Sequence, residues 1–313
     1  MNGSLKKTLK ILLTLSIIIL LLTSVDLDDF LERLTNLNLY QIVGALFFLI
    51  LQSFVVSKRW QVILAKLSHR VSYITILRTC YMSLSSSLIL PNLTAEPAIK
   101  AYFLTRLNIP VSATISSVII DKLFMLIGLL GLTLLVAPLV IFFYPATMSW
   151  AYLYILVVFL LIFAKLIMYT GLPSSIKSFE FALLEKYREY LNKAKLIFTD
   201  DQLITQALLL SFLSQFFAIC SVYILSLSMV PELTMFECML LMPPVMLATA
   251  IPVAFNGWGI REVAMIYVLG FANISSESAF ALSVQFGTIG LLLWSIGLAL
   301  WIPVKRGDNE SAQ

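Results

Sequence analysis

The sequence predicts an all-α, polytopic integral membrane protein, from its composition and from its long apolar segments. Hydrophobic residues make up 60% of the chain, charged residues only 12%, and the mean hydropathy is +0.96. Soluble domains carry about 25% charged residues. Apolar runs of about 20 residues recur, which is the length that a helix needs to cross a bilayer. We therefore predict one helical membrane domain over residues 1–313, with about six full spans and two shorter, interrupted helix pairs.

The same composition argues against several classes of function. The net charge of +4 comes from short basic clusters that flank apolar segments, so we expect no nucleic-acid binding. Cys80, Cys220 and Cys238 lie in apolar stretches without the spacing of metal ligands, and His69 is the one histidine. The chain also lacks a glycine-rich phosphate-binding loop. We therefore predict that the chain is not an enzyme and that it uses no cofactor and no metal.

The charges that flank the apolar segments predict the orientation of the chain. Lysines within residues 6–10 precede the apolar run 11–23, which we interpret as an uncleaved anchor because no small-x-small cleavage site follows it. Basic loops stay in the cytoplasm. The acidic connection at 26–32 is therefore predicted outside, and the basic cluster at 58–70 inside. Lysine and arginine at 305–306 place the C-terminus, like the N-terminus, on the cytoplasmic side of the inner (cytoplasmic) membrane.

Hydropathy and length locate the other segments. The predicted full spans are 11–23, 40–56, 111–144, 150–169, 203–229 and 279–301. An outer turn is predicted at 231–232. Residues 174–201 combine balanced charges with apolar residues at helical spacing, which is typical of an amphipathic helix lying along the cytoplasmic surface.

The first interrupted helix pair is predicted at residues 73–106. Its apolar part ends at Pro91, and a polar break runs from there to Pro97. Arg106 follows too soon for a second crossing, because a span needs about 20 residues. We predict a re-entrant hairpin that enters and leaves on the cytoplasmic side. The alternative is a full span over 73–90 with an external loop, which would put Arg106 on the wrong side of the membrane.

The second pair is predicted at residues 235–271, with a break from Pro252 to Glu262. Residues 263–271 are again too few to cross the bilayer alone, so we predict a hairpin that opens outward. Two interrupted pairs of opposite orientation indicate an inverted-repeat transporter with its site near the midplane. The alternative is a surface loop in which Arg261 and Glu262 are solvated. The predicted hinges are Pro91, Pro97, Pro252, Gly257 and Gly259.

Charged residues inside apolar segments are the candidate functional residues. Asp121 and Lys122 lie well within the apolar stretch 111–144. Intramembrane charge is rare, which favours a functional role. The alternative is that Lys122 extends to the cytoplasmic headgroups and that Asp121 simply accompanies it near the helix start.

Three elements together resemble the lysylphosphatidylglycerol synthase transmembrane family. They are Pro91…Glu96…Lys100, then Ile120-Asp121-Lys122-Leu123, and then Pro252…Asn256-Gly257-Trp258-Gly259-Ile260-Arg261-Glu262. The Gly-x-Gly-x-Arg-Glu element is the most specific of them. The resemblance covers most of the chain and implies a flippase-like domain that moves a lipid between leaflets. We expect it here as a stand-alone domain, without the soluble aminoacyltransferase domain of the synthases.

We therefore predict a lipid translocase that shields a phospholipid or polyprenyl/glycolipid headgroup in a polar cavity between the two hairpins. The predicted substrate-binding residues are Glu96, Lys100, Arg106, Asp121, Lys122, Asn256, Arg261 and Glu262. The cationic ones would hold phosphate, with arginine suited to two-pronged contact. At the second hairpin we expect phosphate to replace Glu262 as the partner of Arg261.

The expected partner is a membrane lipid, either an anionic phospholipid or a lipid-linked sugar. A second copy of the chain and proteins of envelope synthesis are further expected partners. Two alternative functions are kept. One is a membrane-embedded enzyme or accessory subunit of lipid-linked sugar or cell-envelope synthesis, with Glu96 or Asp121 as the base. The other is a purely structural partner in an envelope-synthesis complex.

Overall fold

The computed structural model describes residues 38–67, 69–89, 95–145, 147, 196–250 and 257–300. No strand occurs among these residues. They form eight helices of 11 residues or more. These helices are α1 (Leu39–Lys66), α2 (Tyr73–Ile89), α3 (Ala95–Arg106), α4 (Val111–Phe143), α5 (Asp201–Ser226), α6 (Met235–Thr249), α7 (Ile260–Gly270) and α8 (Ser276–Ala299).

Four of the described helices are long and apolar enough to cross a membrane, namely α1, α4, α5 and α8, with 28, 33, 26 and 24 residues. They confirm that the predicted spans at 40–56, 111–144, 203–229 and 279–301 are helical. α1 continues past residue 56 to Lys66, because Trp60, Ile63 and Leu64 extend its buried face. The predicted spans 11–23 and 150–169, and most of the amphipathic segment 174–201, lie outside the described residues.

The shorter helices fall where the two hairpins are predicted. α3 has 12 residues and α7 has 11, so at a rise of 1.5 Å per residue they are about 18 and 17 Å long. The hydrocarbon core of a bilayer is about 30 Å thick. α2 packs against α3, and α6 packs against α7. The helices of each predicted pair therefore lie side by side, while their re-entrant orientation in the bilayer stays a prediction.

A capping box marks the start of α6, and two glycines with positive φ angles precede α7. Thr234 caps α6 and exchanges hydrogen bonds with Glu237 in a capping box. Before α7, Gly257 and Gly259 have φ angles of +80° and +88°. Glycine enters this left-handed region at little cost because it has no Cβ. Both glycines therefore adopt backbone angles that favour glycine, while their role as hinges stays a prediction; Pro252 lies outside the described residues.

The helices α2 and α3 of the first pair share an apolar cluster with α1 and α4. This cluster comprises Trp60, Leu64, Ile76, Cys80, Leu104, Ile109, Ala113 and Val118. Its members come from α1, α2, α3 and α4 and from the turn before α4, so the short helix α3 is packed between longer neighbours. Elsewhere α5 lies along α1, and α8 packs against α2 and α7. Lys100 of α3 is buried beside this cluster, whereas Arg106, at the end of the same helix, is exposed.

An ion pair ties the end of α1 to the start of α5. Lys66 Nζ lies 2.5 Å from Asp200 Oδ2, and the backbone N–H of Leu203 donates to Asp200 Oδ1 at 3.0 Å. The bond from Lys66 and the bond from Leu203 hold the pKa of the Asp200 carboxyl below its usual value. Asp200 thus serves both as the N-cap of α5 and as the partner of a lysine from the predicted cytoplasmic cluster.

Cysteine labelling tests the predicted topology. Arg70 and Glu232 are both exposed, and the three native cysteines are buried, so a membrane-impermeant thiol reagent will report on introduced cysteines. We expect Arg70→Cys to react from the cytoplasmic side and Glu232→Cys from the outer side, because basic loops stay inside. If Arg70→Cys is labelled from outside, the predicted orientation is wrong and both hairpins open to the opposite sides.

Candidate functional site

The first hairpin contains a carboxylate that bridges two ammonium groups. Glu96 lies in the first turn of α3. Its Oε1 accepts a hydrogen bond from Lys100 Nζ at 2.8 Å, and its Oε2 accepts one from Lys122 Nζ at 3.0 Å. Glu96 and Lys100 are four residues apart, so they share one face of α3. Lys122 comes from α4. The fold therefore joins three of the predicted site residues in one contact.

A buried aromatic ring makes a cation–π contact with Lys100 of α3. Lys100 Nζ lies 4.9 Å from the centroid of the Trp60 ring. Trp60 itself is fully buried, and its Nε1–H donates to Ser117 Oγ at 3.1 Å. An ammonium over an indole face is stabilised by the ring quadrupole. Lys100, which is 3% exposed, is thus held between a carboxylate and an aromatic ring.

Asp121 has a partner that was not predicted. Its Oδ1 accepts a hydrogen bond from Arg59 Nε at 2.7 Å, and the two side chains are only 4% and 1% exposed. Arg59 Nη1 also donates to Ser211 Oγ at 3.1 Å. These bonds join α1, α4 and α5 in the interior. Arg59 belongs to the stretch interpreted as a basic cytoplasmic cluster, but the apolar residues that follow it keep it inside the bundle.

These five charged residues form one group, which we call the first charge network. Its members are Arg59, Glu96, Lys100, Asp121 and Lys122. Arg59 is next to Trp60 in the chain, and Asp121 is next to Lys122, so the two sets of contacts adjoin. Three cations face two anions, which leaves an excess of one positive charge. The side chain of Lys122 is 42% exposed, so the excess charge is accessible there.

The second hairpin carries a separate, neutral group, the second charge network. Arg261 Nη2 lies 2.9 Å from Glu262 Oε1, and Arg261 Nε donates to Ser283 Oγ at 3.0 Å. Ser283 donates in turn to Glu262 Oε1 at 2.9 Å. Glu262 Oε2 accepts from the backbone N–H of Gly259. The side chain of Glu262 is 1% exposed, so its carboxylate has described partners on both oxygens.

Aromatic rings and a glycine close around the Arg261 guanidinium. Its Cζ lies 4.8 Å from the Trp258 ring centroid and 5.9 Å from that of Phe286. A Cβ placed on Gly287 would come within 2.2 Å of Arg261 Nη2 and 2.9 Å of the Trp258 ring. Gly287 is therefore the position at which α8 makes room for the arginine side chain.

Replacing Gly287 by alanine tests this close contact. We expect Gly287→Ala to lower the free energy of unfolding by about 1–3 kcal/mol, because overpacking forces Arg261 and Trp258 to move. The matched control is Gly290→Ala on the same helix, where no heavy atom lies within 4 Å of the added Cβ. That change should stabilise the protein by up to about 1 kcal/mol through helix propensity. Thermal unfolding in detergent measures both, and equal shifts would contradict the close contact.

The whole sequence was compared with models of known protein families. The family model for the lysylphosphatidylglycerol synthase TM region matches residues 7–297. The match spans both hairpin pairs and both charge networks. The chain belongs to this family. No curated protein matches the chain.

Family membership confirms the resemblance drawn from Glu96, the Asp121–Lys122 pair and the Gly-x-Gly-x-Arg-Glu element. It makes the chain a multi-pass membrane protein of a family concerned with lipids or the cell envelope. The roles of individual residues stay predictions.

The remaining predicted site residues are not joined to either network by a described contact. Arg106, in the last turn of α3, is exposed, and its guanidinium lies 4.6 Å from the Tyr102 ring centroid. Pro97 lies in the first turn of α3, where a missing N–H breaks no helical bond. Asn256 and Pro91 lie outside the described residues. Within the described part of the chain, no three His, Cys, Asp or Glu side chains come together as a metal site.

Proposed function

We propose that this protein is a lipid translocase that moves an anionic membrane lipid between leaflets, with the headgroup bound at the first charge network. One observation carries the proposal. The network has an excess positive charge, and one of its cations, Lys122, is half exposed, while Arg59 and Lys100 are buried. The site chemistry alone indicates an anion, and membership of a family concerned with lipids or the cell envelope indicates that this anion is a lipid headgroup.

An excess positive charge in an apolar bundle is costly unless an anion balances it. A buried charge is tolerated when it is paired, and a neutral network would be the less costly arrangement in an apolar bundle. Glu96 carries one negative charge between two ammonium groups, so one of the two positive charges is not balanced by a carboxylate among the described residues. An ammonium has three N–H donors, of which the described bond to Glu96 uses one. A headgroup phosphate supplies both the missing negative charge and the acceptor oxygens.

The short helices offer a route for such a headgroup. α3 and α7 are each shorter than the apolar layer, and the sequence has a polar break at the start of each of them. A headgroup could move along these breaks while its acyl or prenyl chains stay in the lipid. Broken helices with sites near the midplane are the usual construction of inverted-repeat transporters.

The enzyme alternative has less support from the geometry. It requires Glu96 or Asp121 as a base, yet Glu96 contacts two ammonium groups and Asp121 contacts a guanidinium. These contacts occupy carboxylate oxygens that a base would have to offer to its substrate. This pairing favours a binding role over a catalytic one.

Reconstitution tests the proposal. Purified protein is placed in phosphatidylcholine vesicles that contain an acyl-chain-labelled fluorescent phosphatidylglycerol, and dithionite quenches the outer leaflet. We expect protein-dependent loss of the protected inner-leaflet fluorescence, with the mass of the lipid unchanged. A changed lipid mass would support the enzyme instead. If the protein causes no leaflet exchange and no change in lipid mass, the proposal is overturned and the structural partner is favoured.

A further inference from the structure

The two ion pairs of Glu96 differ in their access to the surroundings. The side chain of Lys100 is 4% exposed and lies against the Trp60 ring, whereas that of Lys122 is 42% exposed. Glu96 is 19% exposed. One carboxylate oxygen is therefore committed to an enclosed ammonium. The other is bound to an ammonium that an incoming anion can reach.

We propose that Glu96 is a displaceable counter-ion, and that the site it guards accepts one negative charge. An oxyanion of the headgroup takes the Lys122 ammonium from Glu96 Oε2, while Glu96 Oε1 stays on Lys100. When the headgroup leaves, Glu96 returns to Lys122. This inference rests on the proposed function and adds to it the charge of the headgroup that the site selects.

Charge balance sets the selectivity. The first charge network has one uncompensated positive charge, so an anion of charge −1 makes it neutral. A phosphodiester carries one negative charge, while a phosphomonoester carries about −1.5 to −2 at pH 7. The additional negative charge would lie unpaired in a largely buried site, which is unfavourable. The site consequently prefers a phosphodiester headgroup to a phosphomonoester.

The neighbouring cations in the described part of the chain do not change this balance. Arg59 is bound to Asp121 and Ser211 in the interior. Arg106 is exposed at the far end of α3 and lies over Tyr102. The remaining cation, Lys100, keeps Glu96 Oε1 as its partner. Lys122 is therefore the cation of the network that is available to exchange partners.

The counter-ion also explains how binding stays reversible. Without Glu96, two ammonium groups would adjoin each other and Lys100 would be a buried, unpaired charge. Like charges repel and an unpaired buried charge is destabilising. Glu96 prevents both in the empty state and competes with the headgroup for Lys122 in the bound state. Removing that competition should tighten binding.

Binding of short-chain lipids to the purified full-length protein tests the inference. The probes are dihexanoyl phosphatidylglycerol, a phosphodiester, and dihexanoyl phosphatidic acid, a phosphomonoester, measured by titration calorimetry at pH 7.5. We expect the wild-type protein to bind the phosphodiester about tenfold more tightly, which is one factor of ten in Kd. Lys122→Met should bind both at least about tenfold more weakly. Lys58→Met, the same change at an exposed lysine outside the network, should bind like wild type.

Two variants separate charge from competition. Glu96→Gln raises the net charge of the network by one, so the preference should shift toward the phosphomonoester by about tenfold or more. The double variant Glu96→Gln/Lys100→Met keeps the wild-type net charge but lacks the competing carboxylate. It should bind the phosphodiester more tightly than wild type and still discriminate against the phosphomonoester. Because it leaves no buried unpaired lysine, it carries the test if Glu96→Gln does not fold.

The outcomes are distinct from those of the transport assay. Equal affinity of wild type for the two probes, unchanged binding in Lys122→Met, or weaker phosphodiester binding in the double variant would each overturn the counter-ion inference. If leaflet exchange is nevertheless observed, the counter-ion inference is wrong but the proposed translocase function is supported. The expected binding pattern without leaflet exchange would instead overturn the translocase and leave a headgroup-binding site.

Discussion

Replacing Asp121 by asparagine is expected to lower the free energy of unfolding by about 3–5 kcal/mol. The change leaves the guanidinium of Arg59, whose side chain is 1% exposed, without its ionic partner at 2.7 Å. Removing one member of a buried ion pair is costly because the remaining charge stays desolvated. Chemical or thermal unfolding of the purified protein in detergent measures the loss. It should be the largest stability effect of a single substitution in either network.

Two controls accompany this prediction. Asp201→Asn is the same change at an exposed residue in the first turn of α5, where the expected loss is below about 1 kcal/mol. The double variant Arg59→Met/Asp121→Leu removes both charges and should recover most of the stability. An Asp121→Asn variant no less stable than Asp201→Asn would show that the Arg59–Asp121 pair does not tie α1, α4 and α5 together.

Lys122→Met is expected to reduce leaflet exchange of an anionic lipid by at least about tenfold. A hydrogen bond to a charged group contributes about 1.5–3 kcal/mol, which corresponds to a factor of about ten or more. Lys122 is half exposed, so methionine should leave the fold intact. The rate is measured in the vesicles described above, at equal protein density. Lys122→Arg should retain more activity than Lys122→Met because it keeps the positive charge.

Lys58→Met supplies the matched control for the rate. Lys58 is exposed on α1, and its Nζ donates to Gln61 at 2.9 Å, so it takes no part in the first charge network. Its loss should leave the rate near that of wild type. Equal rates in the Lys58→Met and Lys122→Met proteins would mean that the excess charge on Lys122 has no role in transport.

The helices could be predicted because their signals are local. The apolar stretch 111–144 became α4 at Val111–Phe143, since the hydropathy and length of one segment decide whether it forms a spanning helix. The break before α7 was predicted from glycines that do adopt positive φ angles. The helices of both interrupted pairs were located for the same reason, although their orientation in the bilayer depends on more than the local sequence.

The site could be predicted only in part, because its contacts join distant residues. Glu96 and Lys122 were predicted from their unusual position near apolar segments. Arg59 was not, since a basic residue after an apolar run is also what the positive-inside rule predicts. Its bond to Asp121 joins residues 62 positions apart. A signal was present in Trp60, Ile63 and Leu64, whose helical spacing continues the buried face beyond Arg59.

The difference between the two networks is likewise a tertiary property. We predicted a phosphate that replaces Glu262 as the partner of Arg261. In the fold, Glu262 is 1% exposed and is bound by Ser283, which lies 21 positions away on α8. The pair of Glu96 with Lys122 is more accessible, with side chains 19% and 42% exposed, while exchange of partners at Arg261 stays a prediction. The sequence shows a charged pair in both hairpins, but not which one is accessible.

The measurement that most directly tests the central claim compares two lipids with the wild-type protein. One is the labelled phosphatidylglycerol; the other carries the same label and acyl chains on a glycosyl diacylglycerol without phosphate. The account predicts that the anionic lipid changes leaflet at least about tenfold faster, because a charged hydrogen bond to Lys122 contributes about 1.5–3 kcal/mol. Equal rates for the two lipids, or a faster rate for the uncharged one, would contradict it.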